Sequence, residues 1–168
     1  MEPISEAGIR ASFVNCSKGE AGRIKLPPDF RDTPWGDLDF YGFVDPSAPQ
    51  RAVIVVPGGD AGPIGILLRK AESGRAGAGR SSMCQVCLTD HAAGGVSLFT
   101  APLAGAAGRN GNSVGEYLCS DLACSLYLRG KRQPKLRLVR FEETLTVAEK
   151  IDRALLKLIA FTARVSRA

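Results

Sequence analysis

Four of the five cysteines occur as two close pairs, and this spacing constrains the chain more than any other feature of its sequence. Cys84 and Cys87 are separated by two residues, Cys119 and Cys124 by four, and 31 residues lie between the pairs. Two close thiol pairs on separate turns are typical of a tetrahedral zinc site. We therefore predict one structural Zn²⁺ ion held by these four residues. Because four thiolates leave no coordination position for water or substrate, the pattern favours a folded binding surface over catalysis.

Two other interpretations of the cysteines remain open from the sequence. The four could be buried free thiols, or Cys84 and Cys87 could form a redox pair. His91, the only histidine, lies four residues after Cys87 and could replace one thiol as a ligand. A complete four-thiolate cage would instead leave it a surface or packing role. Cys16 stands apart from the pairs, and we expect it to be a small buried apolar residue rather than a reactive thiol.

The size and charge of the chain give broader limits. Its 168 residues suffice for one domain with a hydrophobic core. The 22 Lys and Arg residues against 17 Asp and Glu give a formal charge of +5, which favours an acidic protein surface or a nucleic-acid backbone as partner. The sequence contains no secretory leader pattern and no apolar run of about 18 residues. We therefore expect a soluble, monomeric cytoplasmic protein that does not contact a membrane.

The first 70 residues predict a short helix followed by an antiparallel meander. Ser5 can cap a helix over residues 5–13, and extended segments are expected over 40–44, 52–56 and 64–68. The unbroken apolar run 53–56 indicates a middle strand that is covered on both faces. A Gly- and Ser-rich stretch, 71–82, predicts a mobile loop and an internal boundary before the cysteines.

A treble-clef zinc module is predicted over residues 83–133. A knuckle at the first cysteine pair precedes two strands, 95–100 and 113–118, with a two-residue turn at Asn110 and Gly111. Ser120 or Asp121 would cap a helix that contains the last cysteine and stops at Gly130.

The remaining region, 134–168, combines a basic segment with a helix that starts at a capping box of Thr146 and Glu149. Its apolar face should pack back on the sheet, and that face consists of Ile151, Ala154, Leu155, Leu158, Thr162 and Val165. The predicted fold class is α+β, with the four regions forming one compact unit.

The densest run of charge extends over residues 129–140, which contain six basic and no acidic residues. It could be a solvated face at the end of the zinc helix, or a surface that contacts a partner. Five aspartates between residues 29 and 45 fit turns, although they could also form an acidic counter-surface. Catalytic groupings of carboxylates with Ser, His or Lys are missing, as is a phosphate-binding loop, so we predict that the chain is not an enzyme.

Several stretches of the zinc module resemble one known family. They are MCQVC at 83–87, GGVSLF at 94–99, GNSVG at 111–115 and YLCSDLACSLYLRGK at 117–131, with weaker matches at 12–16 and 143–146. In these residues the chain resembles the C-terminal treble-clef domain of elongation factor G-binding proteins, the fusidic acid resistance family. The second cysteine pair and its helix carry most of the resemblance, because paired cysteines alone recur in many zinc proteins.

The resemblance implies a protein that binds elongation factor G through its zinc domain and helps to release the factor from the ribosome. It implies that Cys84, Cys87, Cys119 and Cys124 are the zinc ligands. It also places the partner contact on basic residues of this domain, for which we choose Arg129, Lys131, Arg132 and Arg109. Resistance proteins carry a helical bundle before this domain, where this chain has a short helix and a meander. The alternative function is binding of ribosomal RNA or another nucleic acid through residues 129–140.

Overall fold

The computed structural model describes residues 1–71, 82–134 and 143–167, and it shows a mixed fold of helices and antiparallel strands. The helices in these ranges are α1 (Glu6–Ser12), α2 (Lys18–Arg23), α3 (Gly105–Arg109), α4 (Cys124–Leu128) and α5 (Val147–Ser166). The strands are β1 (Tyr41–Val44), β2 (Arg51–Val56), β3 (Ile64–Lys70), β4 (Ser82–Met83), β5 (Asp90–His91), β6 (Val96–Pro102) and β7 (Ser113–Cys119). The predicted α+β class is confirmed.

One antiparallel sheet of five strands, in the order β1-β2-β3-β6-β7, forms the centre of the molecule. Strands β1 to β3 form the predicted meander, with Val53 opposite Phe43 on one side and Leu67 on the other. Strand β3 then pairs with β6 through Arg69 and Thr100. The zinc module therefore continues the sheet of the N-terminal region, while β4 and β5 form a separate two-stranded sheet.

Strand β2 is buried on both faces, as its apolar run predicts. Ile54 and Val56 face a core that includes the cysteines and α5, whereas Val53 and Val55 face a second core beneath the N-terminal segment. All four side chains are at most 1% exposed. A strand that lies between two cores carries apolar residues without alternation, which explains the pattern.

The N-terminal layer covers one face of β1 and β2. Ser5 caps α1 by accepting a hydrogen bond from Gly8, as predicted. Helix α2 was not predicted, and it starts at a capping box of Ser17 and Glu20. Its six residues are too few for an apolar periodicity to be recognised, so the capping box was the available signal.

Helix α5 packs on the other face of the sheet. It begins at the predicted capping box of Thr146 and Glu149, and its buried residues are Ala154, Leu158, Phe161, Thr162 and Val165. Phe161 was not among the predicted face residues, yet it is completely buried. None of the described helices is long and apolar enough to cross a membrane.

Two local predictions in the zinc module were wrong. Strands β6 and β7 are joined by residues 103–112, which include α3, and not by a two-residue turn. The amide of Leu103 donates to the carbonyl of Asn112, and this bond closes the β6–β7 ladder. Gly111 therefore lies outside the ladder, in the connection, where its φ of 87° helps to reverse the chain. Helix α4 has Ala123 at its N-cap without a side-chain cap, because the residues before it form the second knuckle. The predicted loop at 71–82 lies largely outside the described residues, as does the basic stretch 135–140.

Candidate metal centre and its surroundings

A tight turn lies at each of the two cysteine pairs. In the first, the amide of Leu88 donates to the carbonyl of Cys84, and in the second the amide of Leu122 donates to that of Cys119, at 2.9 and 2.8 Å. Both leucines have φ of 57°, which residues other than glycine seldom adopt. Each turn therefore closes on a left-handed residue, and this directs the cysteine side chains toward the same point.

The four predicted sulfur ligands converge inside the protein. Their Sγ atoms all lie within 4.8 Å of one another, and all four residues are at most 3% exposed. The Sγ atoms of Cys84 and Cys124 are 3.8 Å apart, and those of Cys87 and Cys119 are 3.5 Å apart. A tetrahedron with Zn–S bonds of about 2.3 Å has edges of about 3.8 Å. The spacing therefore fits a four-coordinate zinc ion and is too long for disulfide bonds.

The pKa shifts within the cluster favour a cation at its centre. The neighbouring thiol of Cys119, followed by those of Cys84 and Cys87, raises the pKa of Cys124 well above its ordinary value. Hydrogen bonds from the thiols of Cys119 and Cys124 lower the pKa of Cys84. Without a positive ion, a thiolate at one sulfur thus keeps its neighbours protonated. A divalent cation at the centre allows all four to act as thiolates.

His91 contacts the cluster from outside the set of four sulfurs. It is 3% exposed, and its Nε2 lies 3.2 Å from the Sγ of Cys119, where an N–H group would donate to a thiolate. Burial lowers the pKa of His91, so the neutral ring is favoured. Its ring packs edge-on against Tyr127 at 4.8 Å between centroids. The packing role expected for His91 beside a complete cage agrees with this position.

Two further contacts fix the knuckles. The Sγ of Cys87 lies 3.2 Å from the hydroxyl of Thr89. Strand β1 approaches the second knuckle so closely that a Cβ atom at Gly42 would lie 2.7 Å from the Cβ of Leu122. Glycine at this position therefore allows the zinc module to pack directly on the N-terminal part of the sheet.

Three of the predicted partner residues form ion pairs with acidic residues of the same chain. Arg129 donates to both carboxylate oxygens of Asp39, and Lys131 donates to Asp37 at 2.6 Å. Asp37 and Asp39 thus form an acidic counter-surface to the end of α4. From the sequence, turns were the favoured explanation of these aspartates and a counter-surface was the alternative.

Arg132 differs from its two neighbours. Its guanidinium is 3.4 Å from a carboxylate oxygen of Asp121, and its side chain is 51% exposed. The side chain of Arg129, by comparison, is 20% exposed. Lys131 is about as exposed as Arg132, at 53%, but its ion pair is 2.6 Å long, so Arg132 is the accessible cation with the longest ion pair of the three.

Arg109 does not belong to that cluster. It ends α3 and lines a separate pocket together with Cys16 and Arg69. Cys16 is partly buried, and desolvation, followed by the charge of Glu20, raises the pKa of its thiol to about 11. A thiol with so high a pKa is a poor nucleophile at neutral pH, in line with the expectation of an unreactive cysteine.

Two exposed apolar residues near the zinc site were not among the predicted site residues. Tyr117 on β7 is 50% exposed and Met83 on β4 is 44% exposed. The alternation of apolar and other residues along β7 carries the relevant signal, because it places Tyr117 on the face opposite to Leu118.

The comparisons with known proteins agree with this geometry. A sequence model of the FBP C-terminal treble-clef zinc-finger family matches residues 8–165. The solved structure of the fusidic acid resistance protein FusC is similar with a TM-score of 0.60 and 15% sequence identity, over 99% of this chain and 60% of that one. The chain thus spans about 60% of the length of FusC, and the likeness shows a shared fold. No curated protein matches the chain.

The family match extends over most of the sequence, and the four clustered cysteines are the donor set that a treble-clef zinc site needs. The chain belongs to the FBP C-terminal treble-clef zinc-finger family, and Cys84, Cys87, Cys119 and Cys124 form the site of one structural Zn²⁺ ion.

Proposed function

We propose that the chain binds elongation factor G through its zinc module and promotes release of the factor from the ribosome. The observation that carries this proposal is the family match over residues 8–165, together with the closed four-cysteine site. The fold shared with the fusidic acid resistance protein FusC supports it. Such a role would place the chain in the cytoplasm.

The zinc site supports a binding role because its four sulfurs fill the coordination sphere. With four protein ligands, the ion has no position for a water molecule that it could activate. Its contribution is to hold two knuckles and α4 against the sheet, which presents the loops around the site in a fixed shape. We propose no catalytic step for this chain.

The proposed contact surface is the cationic end of α4. Arg129 and Lys131 are held by Asp39 and Asp37, so they define the position of this surface within the fold. Arg132 is half-exposed, and its ion pair with Asp121 is the longest of the three at 3.4 Å, so we propose it as the main contact to an acidic partner. Arg109 is proposed as a second, separate contact, since it lies beside the pocket of Cys16.

The nucleic-acid alternative depends on the same basic run. Arg129 and Lys131 already neutralise aspartates of the same chain, which lowers the positive charge available for phosphates. Residues 135–140 carry the rest of the run and lie outside the described part of the chain. The salt dependence of binding distinguishes the two functions. For single-stranded RNA, a plot of log affinity against log salt concentration falls with a slope of about −0.7 per phosphate contact.

The first test is a calorimetric titration of the zinc-loaded chain against purified elongation factor G. We expect saturable binding that Arg132→Ala weakens and that Arg23→Ala leaves unchanged. Arg23 is a suitable control because it is an exposed arginine at the end of α2, on the N-terminal layer. Absence of binding, or binding of RNA with a steep salt dependence in its place, would contradict the proposal.

The second test addresses release. Ribosomes carrying elongation factor G stalled with fusidic acid are mixed with the chain, and the bound fraction of the factor is followed by sedimentation. We expect faster loss of the factor with the wild type than with Arg132→Ala. An unchanged rate with a chain that does bind the factor would limit the function to binding.

A further inference from the structure

Strand β7 forms one edge of the five-stranded sheet. Its register with β6 places Tyr117 opposite Leu98 and Gly115 opposite Thr100. The amide and the carbonyl of Tyr117 both bond to Gln85, so they point away from β6. Because hydrogen-bonded and non-hydrogen-bonded pairs alternate along an antiparallel ladder, the backbone groups of Gly115 and Ser113 also point outward.

These outward groups have no protein partner within residues 1–71, 82–134 and 143–167. The side chain and backbone of Gln85 bond to this edge at Tyr117 and do not extend along it to Gly115 or Ser113. Edge strands are commonly protected by proline, by lysine or by a covering segment. Here Ser113 and Gly115 are both exposed, and neither residue type blocks pairing with another strand.

A groove runs beside this edge on the side of α5. Its volume is about 580 Å³, and the residues that line it include Glu116, Lys157, Ala160, Ala163, Arg164 and Arg167. The two alanines form an apolar floor, which Leu156 extends one turn earlier on α5 with a side chain that is 68% exposed.

The charge of the groove is positive. Arg164 is paired with Glu116 at 2.5 Å, and Lys157 donates to the carbonyl of Gln85 at 2.6 Å. Arg167 has no ion-pair partner in the described part of the chain. Three cations against one carboxylate leave an excess that suits an acidic side chain.

We propose that β7 receives an extended segment of a partner protein as a sixth strand, with an acidic side chain of that segment directed into the groove beside α5. Successive side chains of a strand point to opposite faces, so the same segment would place its alternate residues on the exposed ring of Tyr117. This inference rests on the proposed function, because the partner used to test it is elongation factor G.

The central test removes one outward N–H group. Gly115→Pro deletes the amide donor at an edge position where proline is tolerated, and Gly115→Ala retains the donor and adds only a Cβ atom. That Cβ would lie 3.1 Å from the flexible end of Leu98 in both variants, so they differ in the lost donor and in the proline ring at the backbone nitrogen. We expect Gly115→Pro to weaken binding of elongation factor G about fivefold or more relative to Gly115→Ala.

A charge test examines the groove. Arg167→Glu should weaken binding about tenfold, whereas Arg23→Glu, the same change at the end of α2, should leave it within about twofold of wild type. Hydrogen exchange provides a direct readout of the edge. The amides of Ser113 and Gly115 should exchange rapidly in the unbound chain and slowly in the complex.

The outcomes are distinguishable. If the wild type does not bind elongation factor G, the proposed function fails and this inference falls with it. If the wild type binds but the two Gly115 variants bind equally well, strand addition is overturned and the proposed function stands. Protection of both amides in the unbound chain would also overturn it. Should Gly115→Pro lose zinc or unfold, Ser113→Pro against Ser113→Ala repeats the comparison at the first residue of β7.

Discussion

Arg129 at the end of α4 donates hydrogen bonds to both carboxylate oxygens of Asp39, at 2.5 and 2.8 Å, across 90 residues of sequence. The two side chains are 20% and 13% exposed. The amide of Asp39 in turn donates to the hydroxyl of Ser125 on α4. This contact fastens the zinc helix to the segment that leads into β1, and it raises the pKa of the Arg129 guanidinium through its hydrogen bonds to Asp39.

Removal of this pair should destabilise the whole fold. Arg129→Ala leaves a largely buried carboxylate without its partner, and we expect a loss of about 2 kcal/mol in the free energy of unfolding. Lys131→Ala is the matched control, because Lys131 and Asp37 are 53% and 30% exposed and should contribute less than about 1 kcal/mol. Urea denaturation measures both. Equal losses of unfolding free energy in the two variants would show that the Arg129–Asp39 pair stabilises the fold no more than an exposed ion pair does.

Loss of one zinc ligand should disrupt the module. Cys124→Ser removes a buried thiolate, and we expect less than stoichiometric zinc by elemental analysis and a lower melting temperature. Cys16→Ser should retain one zinc ion per chain, since Cys16 lies in a different pocket from the cluster. Full zinc occupancy in Cys124→Ser would exclude this sulfur as a required ligand.

His91 should tune the affinity for zinc without being a ligand. Its Nε2 lies 3.2 Å from the Sγ of Cys119, and loss of such an outer contact typically lowers metal affinity about 10- to 100-fold. His91→Phe keeps a ring against Tyr127 but removes the donor, so it isolates the hydrogen bond from the packing. Competition with a chromophoric chelator measures the affinity. If the variant binds zinc as tightly as the wild type, the hydrogen bond of His91 does not contribute to zinc affinity and the residue has only a packing role.

The cysteine ligands, the meander and the helix caps could be predicted because each depends on residues close in sequence. Ser5 and Thr146 each cap a helix by bonding to a residue three positions later. The unbroken apolar run from Val53 to Val56 by itself indicates a strand that is buried on both faces. The position of the second knuckle followed from the spacing of Cys119 and Cys124.

What the sequence did not show depends on packing between distant segments. The pairing of Arg129 with Asp39 joins residues 90 positions apart, and no local pattern marks either residue as a partner. His91 contacts Cys119 because the β5 and β7 regions meet in space. The connection around α3 follows from the register that ends β6 at Pro102. Such features follow from tertiary context, which overrides local preference.

The close approach of β1 to the second knuckle predicts a strong effect at Gly42. A Cβ atom there would lie 2.7 Å from the Cβ of Leu122 and 3.2 Å from its carbonyl oxygen. Gly42→Ala should therefore cost about 1–3 kcal/mol of stability and loosen the zinc module. Gly22→Ala is the control, since a Cβ atom on Gly22 in α2 meets nothing within 4 Å and should stabilise the helix slightly. Thermal unfolding of both variants measures the difference, and equal melting temperatures would contradict the predicted clash.

The surroundings of Asp45 predict how the stability of the fold depends on pH. Its side chain is fully buried, which opposes ionisation, but hydrogen bonds from Ser47, the amide of Lys25 and Arg51 outweigh this and hold its pKa below the ordinary value. A carboxyl group whose pKa is lower in the folded than in the unfolded chain stabilises the fold above its unfolded pKa, about 4. This contribution is lost as the pH falls through the lower, folded value.

The test compares wild type with Asp45→Asn by urea denaturation across pH. At pH 7 the variant should be less stable by about 1–3 kcal/mol, because the amide cannot replace the ion pair with Arg51, whose Nη2 lies 2.7 Å from Asp45. As the pH falls below about 4 and through the lower pKa of the folded carboxyl group, the two curves should converge, since the wild-type group then also becomes neutral. A difference that stays constant down to the lowest pH at which the chain folds would show that shape, and not charge, makes Asp45 important.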